Sequence, residues 1–119
     1  MCLALLTTAS IGRIGTTIAA MPVVLPVTFA LHQGSIVFRT MPGTKFEQAT
    51  CDAVVALQAD CYASLHDPVG WSVMVQGMSQ EVTDPSRLSA LRLLPLGAWA
   101  PEGRYMALEP AVITGRQIV

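Results

Sequence analysis

Charge is scarce in this chain, and one long stretch has none. Seven Lys and Arg and eight Asp and Glu are spread over 119 residues, and from Ile14 to Phe38 there is no Asp, Glu, Lys or Arg at all. The net charge of −1 excludes the broad positive field that nucleic-acid binding requires. The uncharged stretch exceeds the roughly 20 apolar residues that span a bilayer. However, Pro22 and Pro26 would break a helix there twice, and Gly15, Gly34 and β-branched residues mark it as strands. No membrane span is expected. The N-terminal flank also lacks the basic region, apolar segment and cleavage site of a secretory signal, and the expectation that follows is a cytoplasmic protein.

Cysteine is equally uninformative as a framework. Cys2, Cys51 and Cys61 are odd in number, with no CxxC spacing and no adjacent histidine pair. Neither disulfides nor a metal site is expected, and the thiols read as reduced and mostly buried. His32 and His66 stand alone and read as surface or loop residues. There is no paired-carboxylate pattern, no Gly-x-Ser-x-Gly and no cysteine with an evident His/Asp partner. Any redox chemistry would have to arrive with a cofactor.

What the chain has is apolar surface: 52% hydrophobic residues and a mean hydropathy of +0.52, against a usual share of about 45–50%. Residues 1–119 make one domain by length. With the membrane excluded, the surplus needs a subunit interface or an apolar ligand site.

The pattern predicts a helix over residues 2–9, a strand in "IGRIGTTIA", and a connection around Met21-Pro22 into "VVLPVTFALH". In the latter Val23, Leu25, Val27, Phe29 and Leu31 share one face by the period of two. Pro26 has no N–H to donate and should lie at an edge, a bulge or a gap. "SIVFRT", "DAVVALQAD" and "WSVMVQGMSQEVT" read as further strands, with Gly77 at a bulge or bend. A short helix is expected near Phe46, and another after Asp84 as N-cap and Pro85 at the first helical position, burying Leu88, Leu91 and Leu94 or Leu93. A last strand closes the chain from Tyr105. Short antiparallel strands with few helices suggest a closed or partly closed barrel, with a sandwich or an open α+β sheet as alternatives.

Two features point to a ligand. "FRTMPGTK", residues 38–45, gathers Arg39, Thr40, Thr44 and Lys45 around a Pro-Gly turn, where a compact cation, hydroxyls and helix N–H groups could hold a phosphate. It is not a P-loop, and solvated charges around a capped turn are the competing reading. In "GWSVMVQG", Trp71 could line a flat aromatic ligand or simply pack in the core.

The ordered segments "CLALLTTASIGRIG", "VVLPVTFALHQGSIVFRTMPGTK", "DAVVALQAD", "GWSVMVQGMSQEVTD" and "ITGR" together resemble the pyridoxamine 5′-phosphate oxidase-like FMN-binding split barrels, from Cys2 to about Gln117. The resemblance implies a mainly β, six-stranded antiparallel split barrel that forms a homodimer, with two flavin sites at the subunit interface. It implies that Thr40, Thr44 and Lys45, with Arg39 beside them, hold the FMN phosphate. The second strand, at Leu25, Pro26, Val27, Thr28 and Phe29, would run along the isoalloxazine ring, and Ser72 beside Trp71 would supply a polar contact. Pyridoxamine 5′-phosphate oxidases proper carry basic residues along the second strand, where this chain has "VLPVTF", which argues against vitamin B6 oxidation. Relatives of this short type use FMN, an 8-hydroxy-5-deazaflavin, haem or no tightly bound cofactor. With so few cations to meet a polyglutamyl tail, FMN is expected first. The function implied is a flavin-dependent oxidoreductase acting on a small molecule, or a non-enzymatic flavin-storing or sensing dimer.

Overall fold

The computed structural model describes residues 2–6, 11–62, 70–97 and 103–118. Six strands carry it: β1 (Ile11–Ile18), β2 (Met21–His32), β3 (Ser35–Thr40), β4 (Ala53–Tyr62), β5 (Gly70–Glu81) and β6 (Arg104–Ile118). Of three short helices, α1 (Cys2–Leu6) precedes β1, α2 (Lys45–Thr50) joins β3 to β4, and α3 (Pro85–Leu91) lies between β5 and β6. The strands close a ring in the order β1-β2-β3-β6-β5-β4, with every neighbour antiparallel. The barrel expected from the strand spacing is the fold observed. Among the described residues no helix is long and apolar enough to cross a membrane.

The ring is unevenly sealed. β4 pairs with β5 along its whole length, and β5 with β6 likewise. In contrast, β2 meets β3 only from Phe29 to His32, and β1 meets β4 only at Arg13, Ile14 and Gly15. The first part of β2, Met21 to Thr28, therefore has β1 on one side and, among the described residues, no strand on the other. Pro26 lies in this free half, as an N–H-less residue should.

Side-chain alternation splits the apolar residues between two cores. Ile14, Val27, Phe29, Phe38, Leu57 and Met106 fill the barrel, and Leu6 of α1 joins them. Val37 and Ala107 face outward and pack beneath Leu91 of α3 together with Val82 and Leu96. β3 is thus buried on both faces, as strands covered from both sides are. Leu91 is buried and Leu88 and Leu94 pack beside it, whereas Leu93 is exposed. Asp84 caps α3, its carboxylate accepting from the Ser86 N–H at 3.4 Å.

Several expectations need correction. The β1–β2 turn is Ala19-Ala20, and Met21 and Pro22 already belong to β2. Only Val27 and Phe29 of the predicted β2 face are buried, and Leu25 is 38% exposed, because the strand leaves the barrel before reaching it. The first helix ends at Leu6; residues 7–9 of the prediction lie outside the described residues. β4 runs on through Cys61 and Tyr62, and β6 begins at Arg104 and continues to Ile118. Cys51 and Cys61 are exposed, not buried, and Cys2 is intermediate; all three are free thiols. His32 ends β2 with its Nδ1 buried, whereas His66 lies outside the described residues.

The Ala19-Ala20 turn places two alanines in the left-handed region, with φ of 50° and 63°. This is the twist a two-residue hairpin wants, but Asn-Gly is the pair that adopts it at least cost, glycine having no Cβ and asparagine tolerating the left-handed region through local hydrogen bonding. The second hairpin uses Gln33-Gly34 for the same purpose. Replacing Ala19-Ala20 by Asn-Gly is expected to stabilise the protein by about 1 kcal/mol, after the entropy glycine adds to the unfolded chain. A urea midpoint that fails to rise at unchanged slope would show that the turn carries no such strain.

Candidate functional site

Where β2 and β3 part, a cleft of about 280 Å³ opens between them. Its lining is Leu25, Pro26 and Val27 from the free half of β2, Arg39 and Thr40 from the end of β3, and Met41, Thr44 and Phe46 from the turn and α2. The sequence explains the divergence. After the last shared rung, Phe29 with Phe38, the next residues outward are Thr28 and Arg39, and these do not pair. Instead both side chains turn to the same loop carbonyl. Thr28 Oγ1 donates to Leu96 O at 2.7 Å, and Arg39 Nη2 donates to Leu96 O at 3.1 Å and Gly97 O at 2.6 Å.

Arg39 is therefore a buried strut. Its guanidinium also lies over the Tyr105 ring, 5.9 Å from the centroid. Its Nε is buried without a partner. Thr40 is more conspicuous: it is 2% exposed, and its Oγ1 is buried with no hydrogen-bond partner. Leaving a buried hydroxyl unpaired costs about 1–3 kcal/mol. A polar atom kept in that state at the wall of a cleft is free to meet a ligand atom.

The turn after β3 is built to a fixed shape. Thr44 is the N-cap of α2: its Oγ1 accepts from the Glu47 N–H at 3.1 Å and donates to Met41 O at 2.8 Å. Glu47 Oε1 returns to the Gly43 N–H at 3.2 Å, giving a variant of the capping box one residue upstream. The Glu47 carboxylate is buried and ion-paired with Arg104 Nε at 3.3 Å, and Arg104 also reaches Glu81 at 3.4 Å. Thr44 is thus already engaged as a cap, whereas Lys45 is exposed and has no ion pair among the described residues.

Of the residues singled out in the sequence, the fold brings Leu25, Pro26, Val27, Arg39, Thr40 and Thr44 to one cleft. Thr28 does not line it and is linked to it only by sharing the Leu96 carbonyl with Arg39, and Lys45 follows Thr44 but lines a neighbouring groove. Phe29 points into the barrel core. Trp71 and Ser72 are on β5, where Trp71 packs against the core and Ser72 lies opposite Asp60 and Arg116. A single chain does not carry these last two to the cleft. Met41 and Phe46 line it although nothing marked them beforehand; the Thr-x-x-Glu spacing of Thr44 and Glu47 fixes the start of α2 and so could have placed Phe46.

Chemically, the cleft offers an apolar wall, two buried polar atoms without partners and a cation nearby. None of its described lining residues is a carboxylate, histidine or cysteine. It can hold and orient a flat molecule with a polar tail, and it has no proton-transfer side chain of its own. No cluster of three or more His, Cys, Asp or Glu suited to a metal occurs among the described residues.

Known proteins resemble the chain along nearly all its length. An uncharacterized protein of Mycobacterium tuberculosis, Rv0080, is 35% identical over 125 residues, spanning 97% of this chain and 79% of that protein. A solved FAD-binding protein of Mycobacterium smegmatis superposes with a TM-score of 0.85 at 30% identity, covering 98% of this chain and 92% of the other. An FAD-binding protein of Mesorhizobium loti gives 0.78 at 22% identity, covering 99% and 93%, a likeness of fold. The family model for pyridoxamine 5′-phosphate oxidase matches residues 1–117. With the strand ring as expected and the match running from end to end of that ring, the chain belongs to the pyridoxamine 5′-phosphate oxidase family.

Proposed function

We propose that the protein binds a flavin nucleotide in the cleft between β2 and β3 and works as a flavin-dependent oxidoreductase on a small molecule. The observation that carries this reading is Thr40 Oγ1, buried and unpartnered beside the apolar wall of Leu25, Pro26 and Val27. The residues present fit such a group: the wall suits a ring system, and Thr40, the Thr44 turn and Lys45 suit its phosphate. A bound flavin supplies hydride or electron transfer. The chain's own part would be to bind, orient and exclude water: Val27 and Phe46 of the lining would cover the ring, while Arg39 and Thr28 fix the outer lip through Leu96 and Gly97.

The reading includes a homodimer in a cytoplasmic setting. Met21 and Val24 on the free half of β2, and Val112 and Ile113 on β6, are exposed apolar residues that a second chain could cover. Pairing two chains is also how Trp71 and Ser72 could reach a cleft. A second reading, a flavin carrier or sensor without turnover, is favoured by the lack of an acid or base in the cleft lining.

Titrating the purified protein with riboflavin, FMN and FAD tests the reading. Nucleotide binding at micromolar concentration is expected. Lys45→Ala should weaken FMN by about tenfold or more while leaving riboflavin within about twofold, because the charge-assisted phosphate contact is lost. Thr40→Val should leave the free protein as stable or more stable, since an unpaired buried hydroxyl goes, yet lower nucleotide affinity. Absence of binding by any of the three flavins would sink the proposal.

A further inference from the structure

A cavity of about 380 Å³ lies between α3 and the facing ends of β5 and β6, and it shares no lining residue with the cleft between β2 and β3. Its volume is that of a small-molecule site. The Val82 N–H donates to Tyr105 O at 2.9 Å and ties the two strand ends together. Val82 is buried in the apolar cluster under α3, with Leu88 and Tyr105 packed against it, so one side of the cavity is apolar and fixed. The charges around it are unevenly matched. Arg104 is shared by two carboxylates, Glu47 at 3.3 Å and Glu81 at 3.4 Å, and this group of three carries one negative charge in excess. Glu81 is the carboxylate of the two that lines the cavity. Arg92, the C-cap of α3, lines it as well, and its side chain has no hydrogen-bond or ion-pair partner among the described residues. One uncompensated charge of each sign therefore borders the same space, and the two do not pair with each other.

We infer that this cavity binds a small zwitterion, an α-amino acid with an apolar side chain. The Arg92 guanidinium receives the carboxylate, whose two oxygens match its planar fork. The Glu81 carboxylate receives the ammonium group, and the side chain lies against Val82 and Leu88. The charge balance selects this class of ligand. A carboxylic acid without an amine would answer Arg92 and leave the surplus carboxylate unmet, and an amine without a carboxylate would do the reverse. A molecule carrying both charges satisfies both poles and brings no net charge into the site. The Tyr105 hydroxyl, in the same lining and without a hydrogen-bond partner among the described residues, is a further donor for the ligand carboxylate.

The test is calorimetric titration of the full chain with L-valine, L-leucine and L-phenylalanine, and then with the desamino acid and the decarboxylated amine of whichever binds tightest. No flavin is needed, because no residue lines both cavities. An affinity of about 0.1 mM or tighter is expected for at least one amino acid, within reach of a ligand of this size with two charged contacts. Each analogue should bind at least about tenfold more weakly, since a hydrogen-bonded charge is lost. Arg92→Gln should weaken the amino acid by about tenfold or more and leave the amine unchanged, whereas Glu81→Gln should weaken it similarly and leave the desamino acid unchanged. The unchanged analogue in each case also shows that the variant is folded. Absence of binding by all three amino acids at millimolar concentration overturns the site. So does an analogue that binds as tightly as its parent, or an amino-acid affinity that survives either substitution.

Discussion

Gly77→Ala is expected to destabilise the protein by about 3–5 kcal/mol, a fall of roughly 10–20 °C in the thermal midpoint. Gly77 is the point where the β5–β6 ladder slips: Gln76 faces Val112, Gly77 faces Pro110, and Ala111 is left over as a bulge. A Cβ at Gly77 would run into the main-chain oxygen of Glu109 and lie 3.1 Å from the Ala111 nitrogen. These are backbone atoms in the most extensively paired part of the ring, so no side-chain rotation relieves the clash. Either the bulge moves or the strands separate, and the core residues Val75 and Leu108 on the two strands are displaced with them. Gly15→Ala provides the control, because there a Cβ meets only the Ala56 Cβ at 4.0 Å. That variant should be neutral or slightly stabilising, since glycine is a weak strand residue. A Gly77→Ala protein melting within about 3 °C of the parent would mean that the bulge can shift at little cost.

The second large effect is at Arg39. Replacing it by Met, which keeps the stem but removes the guanidinium, is expected to cost about 3 kcal/mol. Two hydrogen bonds to loop carbonyls and the stacking on Tyr105 are lost together. Gly97 O loses the hydrogen bond from Arg39, while Leu96 O keeps Thr28. Because Thr28 and Arg39 share an acceptor, the double change with Thr28→Val should be non-additive. Denaturation of the two single variants and the double variant measures this coupling. Strict additivity would mean that the two side chains do not act on one loop. The same experiment separates a strut from a phosphate ligand: a strut moves stability in the free protein, whereas a ligand residue moves it only in the flavin-bound form.

Much of the fold was legible because it depends on local chemistry. Six strands, the bulge at Gly77, the Asp84 cap and the edge position of Pro26 each follow from a residue type whose backbone preference or hydrogen-bonding capacity leaves few alternatives. The half-buried character of β2 was not legible. Val23, Leu25, Val27 and Phe29 alternate in the same way whether the inward face meets a core or a cleft, and only the point where β3 departs separates Leu25 from Val27. The destination of Arg39 was hidden for a related reason. Its partners are 57 and 58 residues away in a loop, and a guanidinium near a turn reads as solvated until that loop is in place. The second core under α3 likewise depends on Val37 and Ala107 meeting across β3 and β6, a pairing that no local pattern specifies.

The brief contact of β1 with β4 has a dynamic consequence. Three residue pairs close the ring there, and α2 lies over the join, tied to β1 by Thr16 and packed on β4 as well. The barrel is in effect a strip fastened by a short clasp, and the cheapest sub-global opening runs through that clasp with the five longer ladders left whole. Lys45 and Thr44 ride on the helix above it. Such an opening disperses the residues proposed to hold the phosphate, so a ligand anchored there would slow amide exchange as far away as β4, none of whose residues lines the cleft.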